Sequence, residues 1–559
     1  MTQETDAVYH TATQNADGSQ EVYVDLTHDS DQREKVILCE SPWVIPVVFV
    51  PGVMGSNLKV RGKKEKVWMP PNNLLDKVVM AGEFLFKDPT DRQKLFNPEN
   101  AEVDWDGSID EGDLKLGQNK EQTLDILRQR GWGSVYSQSY HPFLQTLHKQ
   151  LNSELYKDSA LGAWWQQHML QDPSLWGSTN TQDKALTEAD LKALKRYRFE
   201  VWACGYNWLQ SNAQSGQDLA AYIQKLLDTY AHKGYQPVAK KVIVVTHSMG
   251  GLVLRGLLQD AKAASQILGV VHGVQPAAGA PAVYKRMRAG FEGVEQIIFA
   301  RDAAEAVPVL ANSPALLEML PFANYNQQQP WLKVGNGAKA DLALPDNGNP
   351  YEQIYASTAW YGLIPEENTK LMDPAELVAQ NLKPGQSVRS IFKNAIDGVA
   401  KFHKAISTES ASYHPHTYAH CAVDSSQKTW GEVWWSGYVS ESTELQAQSL
   451  SADDLDSHIE LSGVIQLTLA GPAQAGDGTV PAWSGTAPYG QAHNVFVHGQ
   501  GQVPQHNALN AARAQAPAEA PALQKSYDHQ NSYLDPRSHW ATLYAIARLT
   551  PLADWGQGT

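Results

Sequence analysis

The sequence predicts an α/β fold in which helices cover both faces of a mostly parallel central sheet. Short runs of apolar, often β-branched residues recur along the chain and are typical of strands that are buried on both faces. Segments with helical periodicity lie between several of these runs, and such alternation favours parallel pairing. The predicted strands are 44–50, 199–204, 242–245, 267–274, 464–469 and 494–497.

Length, composition and charge limit the classes of protein to which the chain can belong. Its 559 residues allow one large domain with insertions, and 42% hydrophobic with 19% charged residues is typical of a globular protein. The formal net charge of −15 argues against nucleic acid as a partner and against binding to anionic lipid through basic residues. Any contact with lipid is therefore expected to be apolar and local.

The cysteines and the start of the chain indicate where the protein is made. Cys39, Cys204 and Cys421 are widely spaced and odd in number, so they predict neither a disulfide framework nor a metal site. The polar, acidic N-terminus lacks the basic and apolar regions of a secretory signal peptide. No apolar run approaches the ~20 residues of a membrane span. We expect synthesis in the cytoplasm without a signal peptide.

The first predicted core strand follows a polar extension and leads into a glycine-containing turn. Residues 1–36 show no sustained periodicity and are predicted to lie on the surface. Strand 44–50 ends in Pro-Gly-Val-Met-Gly-Ser, where glycine lets the backbone approach a bound group. Residues 59–194 carry few strand signals and are too long for a connecting loop, so we predict a first inserted cap. The core predicted at 37–58 then resumes at 195–282.

The stretch 242–251 is typical of a nucleophile elbow. It reads Val-Ile-Val-Val-Thr-His-Ser-Met-Gly-Gly, a buried strand that runs into a sharp turn and then a predicted helix. This context raises the hydroxyl of Ser248 at a helix N-terminus, whose dipole favours negative charge on an attacked carbonyl. Thr246 replaces the first glycine of the common G-x-S-x-G pattern. The alternative is a buried strand that ends in an ordinary polar turn.

The rest of the chain is predicted to contain a second insertion and the last part of the core. Residues 283–454 include helical pieces and a polar tract rich in His, Tyr and Trp, which we predict to form a second cap or lid. Residues 455–559 are predicted to return to the core with strands 464–469 and 494–497. An Ala/Pro-rich stretch at 508–523 is predicted to be a flexible loop, and a helix is expected from about 540 to 549.

A serine nucleophile needs a base, and the base needs an orienting carboxylate. In the α/β-hydrolase arrangement the acid and then the histidine follow the serine along the chain. Asp477 is flanked by glycines after a predicted strand and is the expected acid. His529 precedes the terminal helix and is the expected base, with His498 and His506 as alternatives. His539 is expected at the surface.

The remaining groups of the predicted site are backbone amides. The N–H groups of Val53 and Met249 are predicted to form the oxyanion hole, one from the early loop and one from the residue after the nucleophile. His247 lies beside the nucleophile in sequence but is expected to point elsewhere and to be structural. The predicted fold is therefore an α/β-hydrolase fold with large inserted cap or lid segments.

An ordered set of motifs resembles lecithin:cholesterol acyltransferase-like and GPI-inositol-deacylase-like hydrolases. The motifs are 50–58, 131–136, 143–151, 206–208, 247–250 and 476–480. A second set resembles the phospholipase effectors of bacterial type VI secretion systems, namely 272–281, 528–530 and 542–546. One departure is Asn207-Trp208-Leu209, which stands where the acyltransferases carry Asp-Trp-Arg.

The resemblance implies hydrolysis of lipid ester bonds by the triad Ser248, Asp477 and His529. It further implies a phospholipid substrate at the membrane surface of a target cell, a cognate immunity protein and a component of the secretion apparatus as partners. The expected site of action is the periplasm of that cell, reached by type VI secretion from the cytoplasm of the producing bacterium. No nucleic acid is expected.

The residues and the resemblance together predict a lipolytic serine esterase, most specifically a phospholipase A. Two alternatives stay open, an intracellular carboxylesterase on a soluble substrate and a catalytically inactive hydrolase fold that serves as a binding protein. The predicted chemistry requires no cofactor, and the sequence leaves open a structural metal ion in the cap.

Overall fold

The computed structural model has a parallel sheet of six strands at its centre. It describes residues 8–11, 13–14, 20–24, 28, 35–38, 41–70, 84, 87–157, 160–231, 237–292, 299–407, 413–437, 458–461, 465–504 and 506–555. The central strands, β1 to β6 along the chain, are Val44–Val50, Arg198–Ala203, Val242–His247, Ile267–Gly273, Thr417–Ala422 and Asn494–His498. They pair in the order β2-β1-β3-β4-β5-β6, and every pairing is parallel. The predicted parallel sheet is confirmed.

Side chains of the central strands face two separate apolar cores. In β3, Val242 and Val244 belong to one core, whereas Ile243 and Val245 belong to the other. Successive side chains of a strand point to opposite faces of the sheet, so both faces must be covered. The continuous apolar runs in the sequence exist for this reason.

Helices from distant parts of the chain cover the two faces. The main ones, α1 to α7, are Ser137–Leu151, Asn212–Asp228, Gly250–Leu257, Ala282–Ala289, Ala303–Leu310, Val388–Ser407 and Pro536–Leu549. Helices α1 and α7 contribute to one core through residues such as Phe143 and Trp540. Helices α2 to α6 contribute to the other. The other described α-helices are Pro89–Leu95, Lys120–Gln129, Ala163–His168, Glu188–Leu194, Ala261–Ser265, Pro314–Leu317, Ala482–Gly485 and Asn507–Arg513.

A second, five-stranded sheet lies outside the central one. Its strands, in spatial order, are Ala340–Leu344, Leu332–Gly335, Val433–Ser436, Ile465–Leu469 and His458–Leu461. The remaining described strands form small sheets: Val8–Thr11 with Lys35–Leu38, Thr13–Gln14 with Gln20–Glu21, Tyr156–Lys157 with Ala160–Leu161, Asp424–Thr429 with Gln474–Gly476, and Leu58–Val60 with Lys66–Trp68 and Ala101–Val103.

The sequence analysis assigned one strand to the wrong sheet and missed one strand of the central sheet. The predicted core strand 464–469 is wrong as a central strand, because Ile465–Leu469 pairs in the five-stranded sheet, and Val464 lies outside the described residues. The fifth central strand is instead β5, which lies inside the segment 283–454 that was predicted to be a cap. Strand β5 contains His420 and small residues, so it lacks the branched apolar run that marks the other inner strands.

Two further predictions differ from the structure. The segment 59–194, predicted as a cap, contains α1, whose Tyr140, Phe143 and Leu147 form an apolar stripe that packs against the central sheet. The Ala/Pro-rich stretch 508–523 is not one loop, since helix Asn507–Arg513 occupies part of it. Within the described residues, no helix is both long and apolar enough to cross a bilayer. The exact division into core and insertions stays a prediction.

Candidate active site

The turn after β3 holds Ser248 in a conformation that is rare for a residue with a side chain. Its φ is 52°, in the left-handed region, and its N–H donates to Gly273 O at 2.9 Å. Helix α3 begins two residues later at Gly250, where an added Cβ would lie 2.4 Å from Pro51 O. Glycine is therefore required at position 250, and the predicted strand–serine–helix elbow is present.

Three side chains from distant positions in the sequence meet at this turn. His529 Nε2 lies 2.8 Å from Ser248 Oγ, and His529 Nδ1 lies 2.7 Å from Asp477 Oδ2. Ser248, His529 and Asp477 are 3%, 6% and 2% exposed. A base within hydrogen-bond distance of a hydroxyl and oriented by a carboxylate is the arrangement that activates a serine.

Backbone contacts hold the carboxylate of Asp477 in place. Its Oδ1 accepts hydrogen bonds from Val480 N at 2.6 Å and Thr479 N at 3.0 Å. The backbone of the base is tied to the same loop, because His529 N donates to Asp477 O at 2.8 Å. With Oδ1 occupied in this way, Oδ2 is left to accept the hydrogen of His529 Nδ1.

The other candidate histidines lie elsewhere. His498 is buried with Nδ1 2.9 Å from Tyr527 Oη and Nε2 3.2 Å from Trp176 O. His506 packs against aromatic rings. His539 lies in α7, and its Nε2 is 2.8 Å from Tyr533 O. His539 is only partly exposed, which differs from the surface position expected for it. Among the four candidates, the structure brings His529 to Ser248.

The loop after β1 packs directly against the elbow. A Cβ at Gly52 would lie 2.8 Å from His247 Nδ1 and 3.0 Å from Ser248 Cβ, so only glycine fits. Val53 and Ser248 line the same cavity. Neither the Val53 N–H nor the Met249 N–H donates a hydrogen bond within the part of the chain that the structure describes. Both amides therefore have no protein acceptor there, as the predicted oxyanion hole requires, and the oxyanion hole stays a prediction.

A buried hydrogen-bond chain connects this loop to the loop of His529. Gly52 N donates to Tyr140 Oη at 3.2 Å, and Tyr140 Oη lies 3.0 Å from His247 Nδ1. His247 Nε2 lies 3.2 Å from His529 O. We call these four residues the Tyr140–His247 chain.

The protonation states of the chain follow from burial. Burial raises the pKa of Tyr140, so its hydroxyl keeps its proton and donates it to His247 Nδ1. Burial, and then the neighbouring His529, lower the pKa of His247 to about 3, so that ring is neutral. Its one hydrogen is then on Nε2 and is donated to His529 O. The expectation that His247 is structural missed this contact to the base, because the contact joins residues that are distant in sequence.

The three side chains open into an apolar cavity of about 340 Å³. Its wall combines residues from the regions predicted as insertions with the loops of the central sheet. Examples are Phe96, Trp208, Val283, Phe299, Leu310 and Met319. An apolar cleft with a few polar groups at one end is typical of a site that binds a substrate with a hydrocarbon part.

The described side chains give no indication of a metal centre. Among the described residues, no three His, Cys, Asp or Glu side chains group as ligands for a metal ion. Cys204 and Cys421 are buried and unpaired, whereas Cys39 lies outside the described residues. That the chemistry needs no cofactor stays a prediction.

Comparisons with known proteins agree with the fold. A family model described as the PGAP1-like α/β domain matches residues 187–311, which include the elbow. A chain in the crystal structure of the Tle4–Tli4 complex is 34% identical and superposes with a TM-score of 0.78, over 92% of this chain and 99% of that chain. A search of curated proteins gives no significant match. The predicted α/β-hydrolase fold and the predicted resemblance are confirmed.

Proposed function

We infer the function from two facts: this chain belongs to the α/β-hydrolase family of the matching chain in the Tle4–Tli4 complex, and a serine, a histidine and an aspartate meet at its apolar cavity. The chain is a lipase-like hydrolase. More specifically, we propose a serine esterase that cleaves acyl esters of phospholipids, a phospholipase A. The contact of 2.8 Å between Ser248 Oγ and His529 Nε2 carries the proposal.

In the proposed reaction, His529 Nε2 takes the proton of Ser248 Oγ as the oxygen attacks the ester carbonyl. The N–H groups of Val53 and Met249 stabilise the negative oxygen of the tetrahedral intermediate. Asp477 Oδ2 stabilises the imidazolium that forms. His529 then protonates the leaving alcohol, and the acyl group stays on Ser248. A water molecule, deprotonated by His529, releases the fatty acid and restores the serine.

A comparison of substrates tests this proposal against its two alternatives. We expect the wild-type protein to release fatty acid from phospholipid vesicles and to react at Ser248 with a fluorophosphonate probe. Activity on a short soluble ester with none on vesicles would favour the intracellular carboxylesterase. Absence of both labelling and hydrolysis would favour the catalytically inactive binding protein.

We also propose that the protein is an antibacterial effector with an immunity partner. The match to a chain of a two-component complex supports such a partner. The proposed route is type VI secretion, through a component of the secretion apparatus, into the periplasm of a target cell. Co-expression with the gene next to that of this chain should yield a complex in which hydrolysis of vesicles is inhibited. An active enzyme that no neighbouring gene product binds would contradict this part.

Removing one hydroxyl from the Tyr140–His247 chain should slow the reaction. We expect Tyr140→Phe to lower kcat on a soluble ester by about 10-fold with little change in KM, because Gly52 N and His247 Nδ1 both lose their partner. Without the Tyr140 hydroxyl, the hydrogen of His247 is no longer confined to Nε2, so the hydrogen bond to His529 O is not always formed. Initial rates over a range of ester concentrations separate kcat from KM.

Tyr136→Phe is the matched control. Tyr136 immediately precedes α1, and its hydroxyl donates to Gln138 Oε1 at the surface. We expect the kcat of Tyr136→Phe to stay within about 2-fold of the wild-type value. An equal loss of kcat in both variants, or no loss of kcat in Tyr140→Phe, would show that the Tyr140–His247 chain does not position His529.

A further inference from the structure

Among the described residues that line the largely apolar cavity, one besides His529 is a basic side chain. Arg286, on α4, lines the same cavity as Ser248. The carboxylates that share this wall, apart from Asp477, are those of Glu292 and Asp528. Asp528 is occupied by its own turn, since its carboxylate accepts from Asn531 N at 3.0 Å and Asn531 Nδ2 at 2.8 Å. Of the described residues on that side of the cavity, Arg286 and its immediate neighbours therefore carry the charge that is not already bound in a turn.

Arg286 belongs to a cluster of three charges that sum to +1. Glu292 Oε1 lies 2.7 Å from Lys285 Nζ, and Glu292 Oε2 lies 3.2 Å from Arg286 Nε. Lys285 Nζ also donates to Gly290 O at 3.0 Å. One carboxylate thus serves two cations, which leaves the cluster with an excess of positive charge.

The contacts of Arg286 fix its guanidinium but leave part of it unused. Glu292 accepts from Nε, and the guanidinium carbon lies 5.0 Å from the centroid of the Phe291 ring. Within the described ranges, the terminal nitrogens Nη1 and Nη2 donate to no protein acceptor. Glu292 fixes the guanidinium at Nε, and the N–H groups of Nη1 and Nη2 stay in one plane. Guanidinium groups bind phosphate through two parallel hydrogen bonds from such donors.

We propose that Arg286 binds the phosphate of a glycerophospholipid whose acyl ester lies at Ser248. The inference rests on the proposed function and adds the feature by which the site selects its substrate. Phosphate and acyl esters are attached to one glycerol, so one substrate can place its ester at the nucleophile and its phosphate at the unused terminal nitrogens of Arg286, which line the same cavity. Glu292 acts as a positioning residue for Arg286. An uncharged glyceride of equal chain length lacks the group that Arg286 binds.

Arg286→Gln tests the proposal on two substrates that differ in the phosphate. Dioctanoyl phosphatidylcholine and dioctanoylglycerol, each in the same detergent micelles, carry identical acyl chains. We expect kcat/KM on the phospholipid to fall by about 10- to 100-fold, as for loss of a charge-assisted pair. The value on the diacylglycerol should stay within about 3-fold of wild type. Fluorophosphonate titration of Ser248 gives the fraction of folded enzyme in each sample.

Two matched variants separate a specific contact from a general effect of charge. Lys285→Gln removes the same unit charge from the cluster, but Lys285 does not line the cavity, so its effect on the phospholipid should be smaller. Arg286→Lys keeps the charge without the planar pair of donors and should give an intermediate loss.

The outcomes that overturn the inference are distinct. Equal losses of Arg286→Gln on both substrates, or no loss on either, would show that Arg286 does not select for phosphate. An equal effect of Lys285→Gln would assign the selectivity to net charge alone. A wild-type protein that cleaves neither substrate would overturn the proposed function, and this inference with it.

Discussion

Ser248→Ala is expected to abolish measurable ester hydrolysis, with a loss of kcat of about 10⁴-fold or more. Ser248 Oγ is the hydroxyl that lies 2.8 Å from His529 Nε2, so its removal takes away both the nucleophile and the acyl-enzyme intermediate. The activity that remains would come from the oxyanion hole and from substrate binding. Release of fatty acid from phospholipid vesicles, followed over hours, measures the loss.

The fold should survive this change. Alanine keeps the Cβ of residue 248, and the N–H that donates to Gly273 O is unaffected. The melting temperature should therefore stay close to that of wild type. Ser390→Ala is the control for the activity assay, since Ser390 lies in α6 and its hydroxyl donates to Ser387 O. A Ser248→Ala protein with wild-type activity would mean that another residue is the nucleophile.

Asp477→Asn is expected to lower kcat by about 10⁴-fold although the side chain keeps its shape. Oδ1 accepts from the N–H groups of Thr479 and Val480, so the one oxygen of asparagine must stay at that position. The amide NH₂ then faces His529 Nδ1 in place of Oδ2. That contact requires Nδ1 to be an acceptor and moves the hydrogen to Nε2. A histidine in this tautomer cannot take the proton of Ser248.

The neighbouring Asp528 provides the control for charge. Asp528→Asn removes an equal charge at the wall of the cavity, but its carboxylate bonds to Asn531 and not to the base. We expect a change in kcat of no more than a few-fold. Stopped assays with a soluble ester are sufficient to measure both variants. Similar losses in the two would assign the effect of Asp477→Asn to electrostatics in general and contradict the tautomer argument.

Local patterns made two residues of the candidate site, Ser248 and Asp477, predictable from the sequence. The elbow around Ser248 and the turn around Asp477 depend on residues within a few positions of each other, and both appear in the sequence as glycine within two positions of a reactive side chain. The base depended on chain position, because five histidines follow Asp477 and only tertiary structure brings one of them to Ser248. The catalytic roles themselves stay predictions until variants are measured.

Long-range contacts account for what the sequence analysis missed. Tyr140 lies 107 residues before His247, so no local pattern signals their hydrogen bond. Strand β5 is a central strand with polar and small residues, because its neighbours in space supply the apolar cover. Strand Ile465–Leu469 has the opposite combination, since it looks like a core strand and pairs in another sheet.

The left-handed backbone of Ser248 has a consequence for the evolutionary fate of the enzyme. A φ of 52° costs a residue with a side chain about 1–2 kcal/mol, and glycine adopts it without that cost. Glycine loses more conformational entropy on folding than alanine does, which costs about 0.5–1 kcal/mol and is less than the strain of the left-handed backbone. A Ser248→Gly variant also loses the hydrogen bond to His529 Nε2, which contributes about 1 kcal/mol. The Ser248→Gly protein should therefore be inactive and about as stable as wild type. In a lineage that no longer benefits from hydrolysis, loss of the nucleophile therefore has no net cost in stability, and only selection for activity preserves the serine.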